Sequence, residues 1–219
     1  MIIAEDLLLL TYDDESGSAD PWIDNLAYRL AGALLVELAL TGRVEPTDER
    51  TVDPDGKTVR RGRIVVRDGS PTGHAELDTA LASIAGRPRR PGDLIEPLSR
   101  GLQKRLLAGL ADRGVLRREQ GRILGIFPMT RWPAVDSAHE TALRGRLGSV
   151  LLDGATPAPH DAALLALAKG TRLVRRLVPK DRRTEAEARA KQVAESGWVT
   201  DATTKAIEEA VAAAMVAIM

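Results

Sequence analysis

Leu30-Ala-Gly-Ala-Leu-Leu-Val-Glu-Leu-Ala-Leu-Thr-Gly-Arg43 is the stretch on which the fold turns. With Leu26 upstream, Leu30, Ala33, Leu34 and Leu38 recur at three- and four-residue intervals, the period of a helix with one buried face. Gly42 stands where a helix closes on a C′ glycine. Upstream, Asp20-Pro21 reads as a start signal, because Asp caps and Pro suits the first helical position. The spacing predicts a helix from about Trp22 to Leu40.

Outward from this helix, Ala4 to Tyr12 is apolar and runs into a polar loop, Asp13 to Ala19. On the other side, Arg43–Pro46 and Thr58–Arg67 read as short strands of a hairpin, parted by the turn-rich Asp53-Pro54-Asp55-Gly56. Ala75–Ala85 reads as a helix with Leu77, Leu81 and Ile84 inward, and Gly86–Gly92 as a basic loop. Leu94, Leu98, Leu102, Leu106 and Leu110 form a strict four-residue series. Pro97 is expected to kink or restart it, since proline removes a helical hydrogen bond, and Ser99 is a candidate cap for the restart. Val115–Arg118 and Arg122–Phe127 predict a second hairpin around Gln120-Gly121.

Ser137-Ala-His-Glu140 has the form of a capping box, and the helix it opens ends at Gly154 and Pro157. Asp161–Val178 is predicted helical throughout. Thr184-Glu-Ala-Glu187 is a second box, and a last helix is expected from about Thr200 to the end. The expected architecture is mainly α: a single globular helical domain over residues 1–219 with two small β-hairpins, one protruding and apolar-tipped.

Composition agrees. Hydrophobic residues make up 44% of the 219, but aromatics only 3%, so Leu, Ala and Val must build the core. Cysteine is absent, which excludes disulfides and thiolate metal sites. No charge-free run reaches the roughly 18 apolar residues a membrane span needs. The start, Met1 to Leu10, has no basic flank and carries Glu5 and Asp6, unlike a signal peptide. Net charge is zero but unevenly spread. Residues 1–55 hold 13 acids against 3 arginines, and residues 86–131 hold 11 Lys/Arg against 4 acids. A second basic cluster runs from Lys169 through Arg172, Arg175, Arg176, Lys180, Arg182 and Arg183. Such asymmetry bears on partners rather than on fold.

Signals for catalysis are scarce. His74, His139 and His160 lie far apart and show no ligand spacing, so surface or capping roles are expected. Nucleophile-elbow, P-loop and dinucleotide glycine motifs are missing. Asp13, Asp14 and Glu15 lack the pattern of a calcium loop. The expectation is a protein that is not an enzyme and needs no cofactor or metal. What remains is basic residues beside rare aromatics. Trp22 and Trp132 sit at element boundaries, where an amphipathic ring can meet a lipid interface or simply half-bury. Arg100 and Lys104, four apart, share a helix face suited to phosphate, or to water. Ile123, Leu124, Ile126 and Phe127 form an apolar hairpin tip flanked by Arg117, Arg118, Arg122 and Arg131. Such a tip can enter an anionic bilayer shallowly, or pack on the core or a second subunit.

Several of these segments together resemble the Golgi phosphoprotein 3 family. They are Leu7–Leu10 with its acidic loop, Leu30–Arg43, Pro71-Thr-Gly-His through Leu81, Arg105 to Leu116, and Met129-Thr-Arg-Trp-Pro133. The resemblance covers nearly the whole chain in consistent order. It implies a helical fold with a protruding hairpin and binding to phosphatidylinositol 4-phosphate. In eukaryotic members it also implies Golgi attachment and retention of membrane enzymes through their cytosolic tails. The family's pocket of one Trp and three Arg falls on Trp22, Ala31, Arg100 and Gln103. Two arginines are therefore replaced. Arg29 is about 200° round the helix from Ala31, and Lys104 about 100° from Gln103. The candidate headgroup residues are thus Trp22, Arg100, Gln103 and Lys104. The Arg- and Ala-rich, Cys-free composition is similar to that of bacterial, especially actinobacterial, chains, where Golgi attachment has no place.

Other function classes compete. The Ser99–Arg113 helix followed by an Arg-rich hairpin also resembles a winged helix of a DNA-binding regulator. Against it, Leu102, Leu106 and Leu110 turn that helix toward a core, so no nucleic-acid partner is expected. An oligomeric scaffold would use the hairpin between subunits. The expected partners are anionic membrane phospholipid, a homo-oligomer through the hairpin and membrane-protein tails, with the protein on the inner, cytoplasmic face of the membrane.

Overall fold

The computed structural model describes residues 1–13, 16–18, 25–47, 51–52, 56, 58–123, 127–169, 171–195 and 212, with backbone alone at 122, 123, 127 and 128. The chain opens with α1 (Ile3–Leu10), all of whose residues are buried. A helix buried all round has no polar face and hence no legible stripe, so the sequence shows an apolar run and not an element. Next comes α2 (Leu26–Leu40). It starts later than the spacing predicts, because Asn25 before it is left-handed at φ 55°. Trp22 and the Asp20-Pro21 start signal lie outside the described residues. Its end is as expected: Arg43 N–H returns to the Leu38 carbonyl at 2.8 Å, behind Gly42.

The first hairpin pairs β1 (Val44–Pro46) with β2 (Ile64–Val66), Val44 opposite Val66. β2 is shorter than the expected Thr58–Arg67 strand. The basic loop runs along its edge, where Ile64 N–H donates to the Arg89 carbonyl at 2.9 Å. Then α3 (Ala75–Ala85) forms with Leu77, Leu81 and Ile84 buried, as its period requires.

The leucine series does split into two helices, α4 (Pro91–Ser99) and α5 (Leu102–Asp112). The break is not where the sequence places it. Pro97 stays inside α4, and the chain turns at Gly101, φ 66° and ψ 4°. Ser99 caps nothing new; its hydroxyl donates back to the Glu96 carbonyl at 2.8 Å. A left-handed residue ends a helix outright, whereas proline removes one bond that neighbouring packing can offset.

The second hairpin is also longer than expected. β3 (Glu119–Ile123) pairs with β4 (Phe127–Arg131), from Glu119 opposite Arg131 to Ile123 opposite Phe127. Gln120-Gly121, expected to turn, lies within β3 opposite Thr130 and Met129. The same register continues at the base, with Leu116 bridging Ala134 and Arg117 N–H on the Pro133 carbonyl at 2.9 Å. Burial of Leu116 and Trp132 anchors that base, and a slip by one residue would expose both. Among the described residues, β3 and β4 pack chiefly on each other, so the hairpin stands out from the helices.

The rest is helical: α6 (Ala138–Leu152), α7 (Pro159–Ala168), the short α8 (Leu173–Arg176), a 3₁₀ turn (Lys180–Arg182) and α9 (Arg183–Glu195). Neither capping box forms. Ser137 holds the N-cap position without a side-chain bond; Asp136 takes the Ala138 N–H instead, and Glu140 bonds Arg144. Thr184 lies inside α9, which grows directly out of the 3₁₀ turn. The predicted Asp161–Val178 helix is interrupted after Ala168. The expected terminal helix from Thr200 lies, but for Ala212, outside the described residues.

α2 sits centrally, touching α1, α3, α4, α5 and α7, while α9 covers α6, α7 and α8. One hydrophobic cluster joins them, built almost wholly of Leu, Ile, Val and Ala. Among the described residues, no helix is long and apolar enough to cross a membrane.

Candidate functional site

The turn at Gly101 builds an exposed basic corner. Because α4 ends and α5 begins there, Arg100, Gln103 and Lys104 come to one edge of the molecule. Arg100 is 73% exposed and bonds Glu96 at 2.7 Å, an i,i+4 pair. Gln103 is half-buried and donates to the Tyr12 hydroxyl at 2.9 Å. Burial pushes the Tyr12 phenol up, and the bond from Gln103 opposes that shift. Lys104 is exposed and has no carboxylate partner among the described residues. Of the other expected site residues, Trp22, Leu124 and Ile126 lie outside the described residues. Ile123 and Phe127 form the last pair of the β3–β4 ladder.

Ala31 and Arg29 both lie in the packed interior of α2. Ala31 is fully buried in α2, where a guanidinium would need a partner the core does not offer. Arg29 is buried as well and serves the fold. Its guanidinium donates to the Leu167 carbonyl at 2.6 Å and the Lys169 carbonyl at 3.1 Å, at the end of α7. Those are the carbonyls a helix leaves unsatisfied, and a cation there suits the helix dipole.

Beside the basic corner lies a pocket of about 410 Å³. Gln103, Lys104, Leu107, Arg118, Thr130 and Trp132 line it. Arg118 lies over the Trp132 ring, its guanidinium carbon 5.8 Å from the ring centre. Trp132 is 8% exposed, so it is a wall of the pocket rather than a free surface ring. The sequence pointed to neither Arg118 nor Trp132 as a pocket wall. The signal was available: in the register linking Leu116 to Ala134 and Glu119 to Arg131, positions 118 and 132 fall opposite each other. A hairpin turn placed at Gln120-Gly121 conceals that relation.

The three histidines converge on two adjacent carboxylates of α1. His74 Nε2 lies 2.9 Å from Glu5, which also takes Arg113. His139 and His160 bond the two oxygens of Asp6, at 2.6 and 2.8 Å. Neighbours on a helix point about 100° apart, so Glu5 reaches α3 and α5 while Asp6 reaches α6 and α7. Burial alone would raise both carboxyls. The histidines, with Arg113 at Glu5, more than offset this and hold both below the usual carboxylate range. His74 also caps α3, its Nδ1 accepting from Glu76 N–H at 3.3 Å. Among the described residues, no group of three or more His, Asp or Glu is arranged to hold a metal. The second basic cluster is largely spoken for: Arg182 pairs with Glu185, Arg175 with Glu187 and Lys169 with Glu195.

Comparison with known proteins agrees with this architecture. The family model described as Golgi phosphoprotein 3 (GPP34) matches residues 3–210. A vacuolar protein sorting-associated protein 74 from Eremothecium gossypii is 32% identical over 169 residues, covering 69% of this chain and 49% of that protein. Its namesake from Schizosaccharomyces pombe is 27% identical over 165 residues, covering 69% and 48%. The chain thus spans about half the length of these curated relatives. With the family model matched along nearly its whole length, the chain belongs to the Golgi phosphoprotein 3 family.

Proposed function

We propose that this chain is a peripheral membrane protein that binds anionic phospholipid headgroups, phosphatidylinositol 4-phosphate or another phosphoinositide among them. The observation that carries the reading is the corner at Gly101, where Lys104, with no carboxylate paired to it among the described residues, stands exposed beside the exposed Arg100. Among the described residues Arg100 is held by a surface pair with Glu96, and such pairs contribute about 0–1 kcal/mol, little obstacle to a phosphate. The β3–β4 hairpin, standing out from the helices, supplies a second element for contact with a bilayer or with another copy. The relatives' name, vacuolar protein sorting, supports a sorting or adaptor role toward membrane-protein tails.

The winged-helix reading loses support. Leu102, Leu106, Leu107 and Leu110 bury one face of α5 in the core, and on its exposed face Arg105 is already bound to Glu76, which leaves few groups to read a DNA groove. The test is vesicle co-sedimentation of the Arg100→Glu/Lys104→Glu double variant. Each basic residue near an anionic surface contributes about 1 kcal/mol, so reversing two should weaken binding roughly tenfold or more. Unchanged binding by a folded double variant would remove the corner from the account.

A further inference from the structure

We infer that Glu96 is a built-in competitor for Arg100, an internal carboxylate on the guanidinium that holds down the affinity of the corner for an anionic surface. This concerns regulation of the proposed membrane contact and therefore rests on that reading.

The position of Glu96 is the first argument. It lies in the last turn of α4, exposed, four residues before Arg100. A carboxylate there faces the negative end of the helix dipole, so the dipole gains nothing from it. The acid that suits the dipole is Asp93, in the first turn. Among the described residues, the Glu96 carboxylate accepts its bond from Arg100, at 2.7 Å. An acid followed four residues later by a cation is the order in which two helical side chains meet best.

The surroundings of Arg100 are the second. Its carbonyl accepts from Arg105 at 2.7 Å. Arg105 is in turn clamped on Glu76, with bonds of 2.8, 2.9 and 3.0 Å. The backbone at the corner is thereby pinned, while the exposed guanidinium can exchange one partner for another. An outside anion must displace the Glu96 carboxylate or share the guanidinium with it. Glu96 also offsets one of the two exposed cations at the corner, Arg100 and Lys104. An exposed pair is weak, so the competition amounts to a severalfold factor and not a blockade. It makes attachment weaker and easier to reverse.

Co-sedimentation of the full chain with vesicles of phosphatidylcholine and phosphatidylserine, at one low salt concentration, tests this. Circular dichroism checks that each variant is folded. Glu96→Gln should bind about fivefold more tightly than the parent, the scale of one charge at an anionic surface. Glu96→Asp keeps the charge but shortens the reach to Arg100, so it should recover part of that gain. In an Arg100→Gln background, Glu96→Gln should gain far less. The inference is overturned if the parent binds the vesicles and folded Glu96→Gln binds no better; the lipid reading then stands without it. It is equally overturned if Glu96→Gln gains while Glu96→Asp does not, or if the gain is undiminished without Arg100. Either result marks overall charge in place of competition. Vesicle binding by neither the parent nor any variant would remove the lipid reading, and this inference with it.

Discussion

Asp6 on α1 accepts a hydrogen bond from His160 on α7 at 2.8 Å, although 154 residues separate them in sequence. Its other oxygen takes His139 of α6, so one buried carboxylate ties three helices together. Replacing Asp6 by Ala leaves both imidazoles without their acceptor. We expect a loss of about 3 kcal/mol in unfolding free energy. Denaturant titration of the variant checks this; a loss below about 0.5 kcal/mol, the range of an ordinary surface substitution, would mean the tie is incidental.

The same carboxylates set the acid limit of the fold. Glu5 and Asp6 both lie below the ordinary carboxylate value when folded, so the folded state binds fewer protons than the unfolded chain. Their stabilisation is complete above the unfolded value, about 4, and is lost as the pH falls through the lower folded values. A Glu5→Gln/Asp6→Asn variant should be less stable than the parent at neutral pH. The gap should narrow as the pH is lowered toward about 3. Unfolding curves at a series of pH values measure it, and a gap constant across the range contradicts the assignment.

Arg29 separates structure from function. Its two carbonyl partners at the end of α7 make it a fastening of α7 to α2. Arg29→Ala should cost about 3 kcal/mol of stability, since buried carbonyls lose a charged donor. Binding of the still-folded protein to anionic vesicles should not change. A variant of normal stability with impaired vesicle binding would return Arg29 to the candidate site.

Gly17 controls the pocket wall from behind. It is left-handed at φ +60°, and a Cβ there would meet the backbone nitrogens of Trp132 and Pro133 at 2.4 Å. Its carbonyl also accepts the Trp132 N–H at 2.9 Å. Gly17→Ala should therefore displace the Trp132 backbone and lower stability by about 2 kcal/mol. The indole resonance of Trp132 in a nitrogen–proton spectrum reports the shift. An unmoved resonance would mean that the loop yields instead of the wall.

Much of the helical frame was legible because it follows periodicity. The end of α2 at Gly42, all of α3 and the leucine face of α4 and α5 answer to spacing alone. α1 was not legible as a helix, since full burial erases its stripe. Proline is the stronger breaker on average, so spacing alone points to Pro97, while the actual break is a left-handed turn at Gly101. The candidate site was half legible. Arg100, Gln103 and Lys104 do gather at one corner, as their nearness in sequence requires. Arg118 and Trp132 depend on a hairpin register set by the burial of Leu116, which local turn residues misreport. The histidine contacts, spanning up to 154 residues, leave no local trace at all.

Membrane binding itself is tested most directly by co-sedimentation of the unaltered chain with vesicles across a salt series. One set would be phosphatidylcholine alone, the others phosphatidylcholine with phosphatidylserine, phosphatidylinositol or phosphatidylinositol 4-phosphate. The account predicts binding only to the anionic sets, weakening steeply as salt rises, because exposed charges are screened within about 8 Å at physiological ionic strength. Failure to bind any anionic vesicle at low salt, or equal binding to all four sets regardless of salt, would contradict it.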